Sequence, residues 1–166
     1  QNCSVTMAKT YILLGGNLGN RENFLHNAIV CLEKTVGKIV SKSSIYESEP
    51  WGFETENWFL NQVVLIDTNL KPSKLLLKTQ EIEKQLGRIK KSKEYETRKI
   101  DIDILFYDFE IIENPNLTIP HKHLHKRMFT LLPLLELSPK LIHPVFSFSI
   151  KELMEKCGDK SIVRKI

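Results

Sequence analysis

The sequence has few cysteines and no long apolar run. Its three cysteines, Cys3, Cys31 and Cys157, are far apart and form no Cys-x-x-Cys pair. This pattern gives no support to a zinc ribbon, a thioredoxin-like redox motif or a disulfide framework. No stretch approaches the roughly 18 consecutive apolar residues that a membrane helix needs. We therefore expect a protein of a reducing compartment, the cytoplasm, with no membrane partner.

Length and composition are ordinary for a soluble globular domain. The chain has 166 residues, of which 42% are hydrophobic and 27% are charged, and its formal net charge is +4. This size suits one domain with a real core. Residues 1–6 lack the basic start and apolar stretch of a signal peptide. We expect Met7 to be the natural start, residues 1–6 to be a remnant of cloning, and a single domain to span 7–166.

Apolar spacing and turn residues predict the order of the main elements. Helices are predicted at 21–35, capped by Asn20, and from Pro72 to a stop at Gly87. Shorter helices are predicted near 126–135 and 149–156. Strands are predicted at 10–14 (ending in a glycine turn at 15–16), 38–46, 59–68 and 100–107, the last with 110–112 as its hairpin partner. The order β-α-β-β-α-β is that of a ferredoxin-like split βαβ arrangement, an α+β fold in which helices pack on one face of an antiparallel sheet.

Two aspartates alternate on the predicted strand 100–107. Because residues i and i+2 of a strand point to the same face, the carboxylates of Asp101 and Asp103 should lie side by side. One interpretation is a charged, solvent-facing strand edge that pairs with Arg98 or Lys99. The other is a magnesium site, because Mg²⁺ binds one or two carboxylates together with substrate phosphates.

A basic loop, residues 88–99, comes directly before these aspartates. It holds six basic and two acidic residues, and is either a solvated loop or a site for the phosphates of a nucleotide or nucleic acid. The sequence contains no P-loop and no protein-kinase catalytic loop. A nucleic-acid-binding ferredoxin-like module is the rival hypothesis, but the predicted sheet lacks the aromatic stripe of an RNA-binding surface. We therefore expect no nucleic-acid partner.

Two further patterns are weaker signals. His121, His123 and His125 alternate, which suits either a zinc site or, as we favour, surface and phosphate-contacting histidines in a loop. The glycines of 15–20 lack dinucleotide-binding spacing, so they predict either a poor phosphate loop or a tight turn that gives a flat ligand access to the backbone.

Four stretches of the chain, in one order, carry a family resemblance. They are Leu14-Gly15-Gly16-Asn17-Leu18-Gly19, Phe59-Leu60-Asn61, Arg98-Lys99-Ile100-Asp101-Ile102-Asp103, and Ile119-Pro120-His121 with Arg127-Met128-Phe129. From Tyr11 to about His143 the sequence resembles the 6-hydroxymethyl-7,8-dihydropterin pyrophosphokinases. The resemblance implies that ATP gives its β,γ-diphosphate to the hydroxymethyl group of the dihydropterin, with AMP as the other product, in folate biosynthesis. It also implies two Mg²⁺ ions and a monomer.

The resemblance also implies roles for individual residues. Asp101 and Asp103 are expected to bind the metal ions, and together with Arg88 and Arg98 they form the expected catalytic set. The expected ATP contacts are Glu83, Arg88, Lys91, Arg98, Ile104, His121 and Arg127. The expected pterin contacts are Gly15, Ser48, Glu49, Trp51, Phe59, Asn61 and Phe129, in which the two phenylalanine rings stack on the heterocycle and Asn61 hydrogen-bonds its edge.

Departures from the family pattern lie mainly in the basic loop. Tyr95-Glu96-Thr97-Arg98 stands where members often have Trp-Gly-Pro-Arg, and Lys90 replaces a frequent arginine. A lysine cannot form the bidentate fork of a guanidinium. Phe59 stands where tyrosine is common, so a hydroxyl contact is missing. The basic loop could close over the nucleotide, and we expect these changes to affect that closure while leaving the metal pair and the stacking rings intact.

Overall fold

A computed structural model describes residues 6–50, 57–87, 89–91, 95–97 and 100–166, with side chains given outside 89–91 and 95–97. In chain order the elements are β1 (Ala8–Gly16), α1 (Arg21–Thr35), β2 (Gly37–Lys42), β3 (Tyr46–Ser48), β4 (Phe59–Thr68), α2 (Pro72–Gly87), β5 (Ile89–Lys91), β6 (Tyr95–Thr97), β7 (Asp101–Tyr107), β8 (Ile112–Glu113), β9 (Thr118–Ile119), a 3-10 turn (Leu124–Lys126), α3 (Met128–Leu137), α4 (Ile150–Lys156) and β10 (Val163–Lys165). Among these residues, no helix combines the length and apolar character that crossing a bilayer requires.

The main sheet has the order β10-β3-β4-β1-β7, and β2 also pairs with β4. Every pairing in it is antiparallel. The first crossover, through α1, and the second, through α2, give the predicted split βαβ arrangement. The α+β fold class is confirmed.

Local sequence signals determine where α1 and α2 begin and end. The Asn20 side chain accepts a hydrogen bond from the Asn23 amide at 3.1 Å, which satisfies one of the unpaired donors of α1. Pro72 opens α2, and Gly87 ends it with a φ of 141°, a conformation that residues other than glycine rarely adopt. The predicted boundaries of both helices are confirmed.

Helices pack on both faces of the sheet, and the expectation of one covered face was wrong. Leu25 of α1 and Leu75 of α2 share a core with Ile12. Leu131 of α3 and Leu153 of α4 share a second core with Leu13, which points to the opposite face. The short apolar run of β1 is therefore buried on both sides, which is why it does not alternate in polarity.

Several predicted strands differ from the structure. The strand predicted at 38–46 is two strands, β2 and β3. Gly15 and Gly16 continue β1 instead of forming a turn. Ile112 pairs with Ile119 in a separate two-stranded sheet, not with β7. A short hairpin, β5 with β6, forms within the basic loop, and β10 was not predicted. The third helix, predicted at 126–135, begins later, at Met128.

Candidate active site

The main cavity lies on the α3 face of the sheet and has a volume of about 320 Å³. All of the predicted pterin contacts that the structure describes line it, namely Gly15, Ser48, Glu49, Phe59, Asn61 and Phe129. Trp51 lies outside the described residues. Asp101, Asp103 and Arg127 also line it. Leu13, which the sequence reasoning missed, contributes an apolar patch, and its alternation with Gly15 along β1 is the signal that could have identified it.

Strand register brings these residues together from distant parts of the chain. Gly15 of β1 is paired with Asn61 of β4 on one side and with Asp101 of β7 on the other. Two residues earlier, Leu13 is paired with Asp103. Since residues paired across an antiparallel ladder share a face, one face of three adjacent strands carries the amide, the glycine and both carboxylates.

The amide of Asn61 is held in a fixed orientation. The residue is 3% exposed, and its Nδ2 donates to the Ser48 Oγ at 3.0 Å. A Cβ atom on Gly15 would lie 2.9 Å from the Asn61 Oδ1, which is closer than carbon and oxygen normally approach. Glycine at position 15 therefore gives this amide its room beside the cavity.

Asp101 and Asp103 lie two residues apart on β7, and both line the main cavity. Both side chains are half-buried, whereas Ile102 and Ile104 point to the opposite face and join the α1 and α2 core. Carboxylate oxygens are the ligands that Mg²⁺ prefers. Within the described residues no three histidine, cysteine, aspartate or glutamate side chains form a metal-binding group. A two-carboxylate set nevertheless fits Mg²⁺, which keeps several water and phosphate ligands.

A second concavity, the side groove, adjoins the main cavity and measures about 240 Å³. It is lined by Ile104 and His121, both predicted nucleotide contacts, and it shares Asp103 with the main cavity. Lys122, Asn116 and Thr118 also line it and were not predicted. Their proximity to His121 in the sequence was the available signal. Asp103 thus lies at the junction of the two concavities.

His121 presents a neutral ring to the side groove. Burial, with contributions from Arg127, His123 and Lys122, lowers the pKa of His121 from 6.5 to about 4. Its Nδ1 accepts a hydrogen bond from the His123 amide at 3.2 Å. In the neutral ring the proton therefore lies on Nε2, which can donate to an anion.

The other two histidines of the alternating set do not converge on His121. The His123 ring lies edge-on to that of His121 with centroids 6.0 Å apart, and the His125 ring packs against Phe146 at 4.7 Å. Together with the lack of a three-residue metal group in the described part of the chain, this leaves the zinc interpretation without structural support.

The N-terminal end of α3 positions Arg127 and Phe129. Arg127 is the cap residue of this helix and Phe129 lies in its first turn. The Arg127 Cζ lies 5.5 Å from the centroid of the Phe129 ring, within the range of a cation–π contact. Arg127 was predicted to contact the nucleotide, and the structure places it in the main cavity with the ring.

Glu83 lies behind the aspartates. It is 8% exposed, and its Oε2 accepts a hydrogen bond from the Ile102 amide at 3.2 Å, so it supports the strand between Asp101 and Asp103. Its role as a nucleotide contact stays a prediction. Arg88, Arg98 and the side chain of Lys91 lie outside the described residues, and their roles also stay predictions.

Comparison with known proteins gives consistent matches. Residues 11–139 match the family model of 7,8-dihydro-6-hydroxymethylpterin-pyrophosphokinase. The 2-amino-4-hydroxy-6-hydroxymethyldihydropteridine pyrophosphokinase of Aquifex aeolicus is 44% identical over 88% of this chain and 90% of its own length. The enzyme of the same name from Bacillus subtilis is 43% identical over 76% of each chain. The folic acid synthesis protein fol1 of Pneumocystis carinii is 42% identical over 96% of this chain, but only 21% of its own length is covered.

Solved structures show the same fold. The wild-type Plasmodium falciparum HPPK-DHPS superimposes with a TM-score of 0.74 at 21% identity and covers 91% of this chain. The chain spans only 43% of the length of that protein. On the strength of the family model and of the relatives above 40% identity, the chain belongs to the 7,8-dihydro-6-hydroxymethylpterin-pyrophosphokinase family.

Proposed function

We propose that this protein transfers the β,γ-diphosphate of ATP to the hydroxymethyl group of 6-hydroxymethyl-7,8-dihydropterin, a step of folate biosynthesis. The observation that carries the proposal is the position of Asp103. It lies between a cavity with aromatic and amide contacts and a groove with a neutral histidine donor. Family membership supports the same conclusion.

The main cavity has the chemistry to bind a pterin. Phe59 and Phe129 supply rings, and offset stacking of a flat heterocycle on such rings is favourable. The fixed amide of Asn61 supplies a donor and an acceptor for the polar edge of the heterocycle. Since the amide is already held by Ser48, little conformational entropy is lost when it binds.

Asp101 and Asp103 would hold the magnesium ions that accompany ATP. Bound there, Mg²⁺ would neutralise charge on the phosphate oxygens. We propose two ions, by analogy with the family. Their donor set, half-buried carboxylates that line the cavity, suits this role without a third protein ligand.

In the proposed reaction the hydroxyl oxygen of the pterin forms a bond to the β-phosphorus. The bond between that phosphorus and the oxygen bridging it to the α-phosphorus breaks, and AMP leaves with the electron pair. The hydroxyl proton is lost to a base near the junction, for which Asp103 is the candidate because it lines both concavities. Arg127 and the Nε2 proton of His121 supply positive charge and a donor for the phosphate oxygens. Arg88 and Arg98 are proposed to add to this charge.

The test is AMP release from ATP, magnesium chloride and hydroxymethyl-dihydropterin, measured by chromatography. We expect the unaltered protein to form AMP and the pterin diphosphate in equal amounts. Asp101→Asn and Asp103→Asn should each lower turnover at least about 100-fold while the fold survives, because neither side chain belongs to a core. Asp67→Asn is the matched control, since Asp67 is on the same sheet but pairs with Lys9. Full AMP production by both cavity variants would contradict the proposal.

We further propose that the protein acts as a monomer in the cytoplasm on these two small-molecule substrates. Cys31 and Cys157 are free thiols, which agrees with a reducing compartment. Light scattering after gel filtration tests the oligomeric state, and the mass of a dimer would contradict the proposal that the protein is a monomer.

A further inference from the structure

The C-terminal segment, residues 157–166, contacts two elements that carry lining residues of the main cavity, β3 and α3. It lies beyond residues 11–139, which the family model covers, and it lines neither the main cavity nor the side groove in the described part of the chain. Its hydrogen bonds nevertheless reach the backbone that carries the cavity residues. This raises the question of what the segment contributes to the site.

Asp159 of this segment caps α3. The first turn of a helix has amide groups with no partner inside the helix. The cap residue Arg127 makes no side-chain cap hydrogen bond. The Asp159 Oδ2 instead accepts from the Met128 amide at 2.9 Å, although 31 positions separate the two residues. A carboxylate in this place also interacts favourably with the helix dipole.

Asp159 is itself held in place. Its Oδ1 accepts from the Ser161 amide at 2.9 Å and from the Ser161 hydroxyl at 2.6 Å. Burial would raise the pKa of Asp159, but these hydrogen bonds and the one from Met128 outweigh it and keep the pKa below its usual value. The carboxylate is therefore charged at neutral pH.

The same segment also extends the sheet beside β3. Val163 is paired with Ser48 on β3. Just beyond, the Glu49 amide donates to the Ile162 carbonyl at 3.1 Å, and the Ile162 amide donates to the Glu49 Oε1 at 2.9 Å. Glu49 and Ser48 both line the cavity. One short segment thus contacts both β3, which carries Ser48, and the start of α3, which carries Phe129.

We propose that the C-terminal segment fixes the width of the pterin site and that Asp159 is a positioning residue. Asp159 holds the start of α3, and with it Arg127 and Phe129, at a set position relative to Ser48 and Glu49. It acts through the helix and does not touch the substrate. This inference rests on the proposed function, because the affected ligand is the pterin.

The test compares the pterin KM, kcat and melting temperature of Asp159→Ala with those of the unaltered protein. Loss of the cap should raise the pterin KM roughly fivefold, leave kcat within about twofold and expose the Met128 amide to faster hydrogen exchange. Asp159→Asn keeps an acceptor oxygen for the Met128 amide, so its pterin KM should be close to that of the unaltered protein. If Asp159→Ala does not fold, Asp159→Asn is measured alone, and a rise in KM smaller than fivefold but above the unaltered value is expected.

Ser149→Ala is the matched control. Ser149 caps α4 through a capping box, and α4 contributes no residue to the main cavity in the described part of the chain. This variant should lose similar thermal stability with an unchanged pterin KM. If Asp159→Ala and Ser149→Ala affect KM equally, Asp159 is only structural and the inference is overturned. The two failures have different results. Equal KM changes in the two variants overturn only this inference, whereas an unaltered protein that releases no AMP refutes the proposed function.

Discussion

Adding a single methyl group at Gly15 should weaken the pterin site through Asn61. The Cβ of an alanine at position 15 would lie 2.9 Å from the Asn61 Oδ1, and the next atom, the Leu60 carbonyl oxygen, is 3.8 Å away. The clash therefore falls on one side chain. Since the amide of Asn61 is buried and bonded to Ser48, it cannot move without disturbing that hydrogen bond.

The cost of Gly15→Ala can be bounded from these contacts. Overpacking a filled site costs about 1–3 kcal/mol, and a hydrogen bond such as that to Ser48 contributes about 1 kcal/mol. We expect the free energy of unfolding to fall by about 1–2 kcal/mol. A misplaced amide should also weaken pterin binding roughly tenfold, whereas ATP binding should change little.

Calorimetric titration with the pterin, in a double-mutant cycle with Asn61→Ala, tests this reasoning. In the Asn61→Ala background the clashing oxygen is gone and the Leu60 carbonyl oxygen, at 3.8 Å, is at an ordinary distance, so the penalty of Gly15→Ala should nearly vanish. Asp67→Asn is the control, because Asp67 lies on the same sheet but pairs with Lys9 and lines neither the main cavity nor the side groove in the described part of the chain. Additive losses in the cycle would refute the claim that Gly15 acts through Asn61.

Two further predictions concern the aromatic ring and acid stability. Phe129→Ala should weaken pterin binding roughly tenfold and ATP binding less, as measured by calorimetry; equal losses would show that the ring is not the pterin platform. Burial and, to a lesser degree, His125 lower the pKa of the 3%-exposed His143 from 6.5 to about 4. Between these values the unfolded chain binds the proton more readily, so the free energy of unfolding should fall as pH drops from 6.5 towards 4, by at most roughly 3 kcal/mol. Thermal denaturation of His143→Asn should show a smaller loss, and an equal loss would contradict this account.

The sequence predicted most accurately those elements whose boundaries depend on local chemistry. Asn20 marks the start of α1 because its side chain replaces a missing backbone acceptor. Gly87 marks the end of α2 because its backbone has positive φ. The β-branched residues of 59–68 favour an extended chain, and β4 has these bounds.

Elements that depend on distant partners could not be predicted in this way. β10 is three residues long and half-exposed or exposed throughout, and it exists because it pairs with β3 more than 100 positions earlier. The break between β2 and β3 likewise depends on register: Lys42 pairs with Val64 and Tyr46 with Asn61, so this stretch has one residue more than the part of β4 that it faces. Helix packing on both faces of the sheet could have been predicted from the sequence, because residues 11–14 are all apolar and do not alternate; all four are buried in β1.

The candidate site shows the same division. The side-by-side placement of Asp101 and Asp103 follows from strand periodicity alone. That Asp103 borders two concavities depends on how the 118–122 segment lies beside β7, and no local signal encodes it. The cap that Asp159 provides for α3 also depends on a distant contact, because it joins two segments that have no shared pattern in the sequence.

One face of the sheet carries both a core and the cavity, and the start of α3 separates them. Leu131 and Leu134 of α3 belong to the same core as Leu13 and Leu105, whereas Arg127 and Phe129, at the start of the same helix, line the cavity, with Phe129 also packed against that core. A small displacement of this end of α3 would change the cavity while leaving Leu131 and Leu134 packed. Perturbations of the helix start should therefore weaken pterin binding by more than their loss of thermal stability accounts for, because the buried leucines of α3 lie further along the helix.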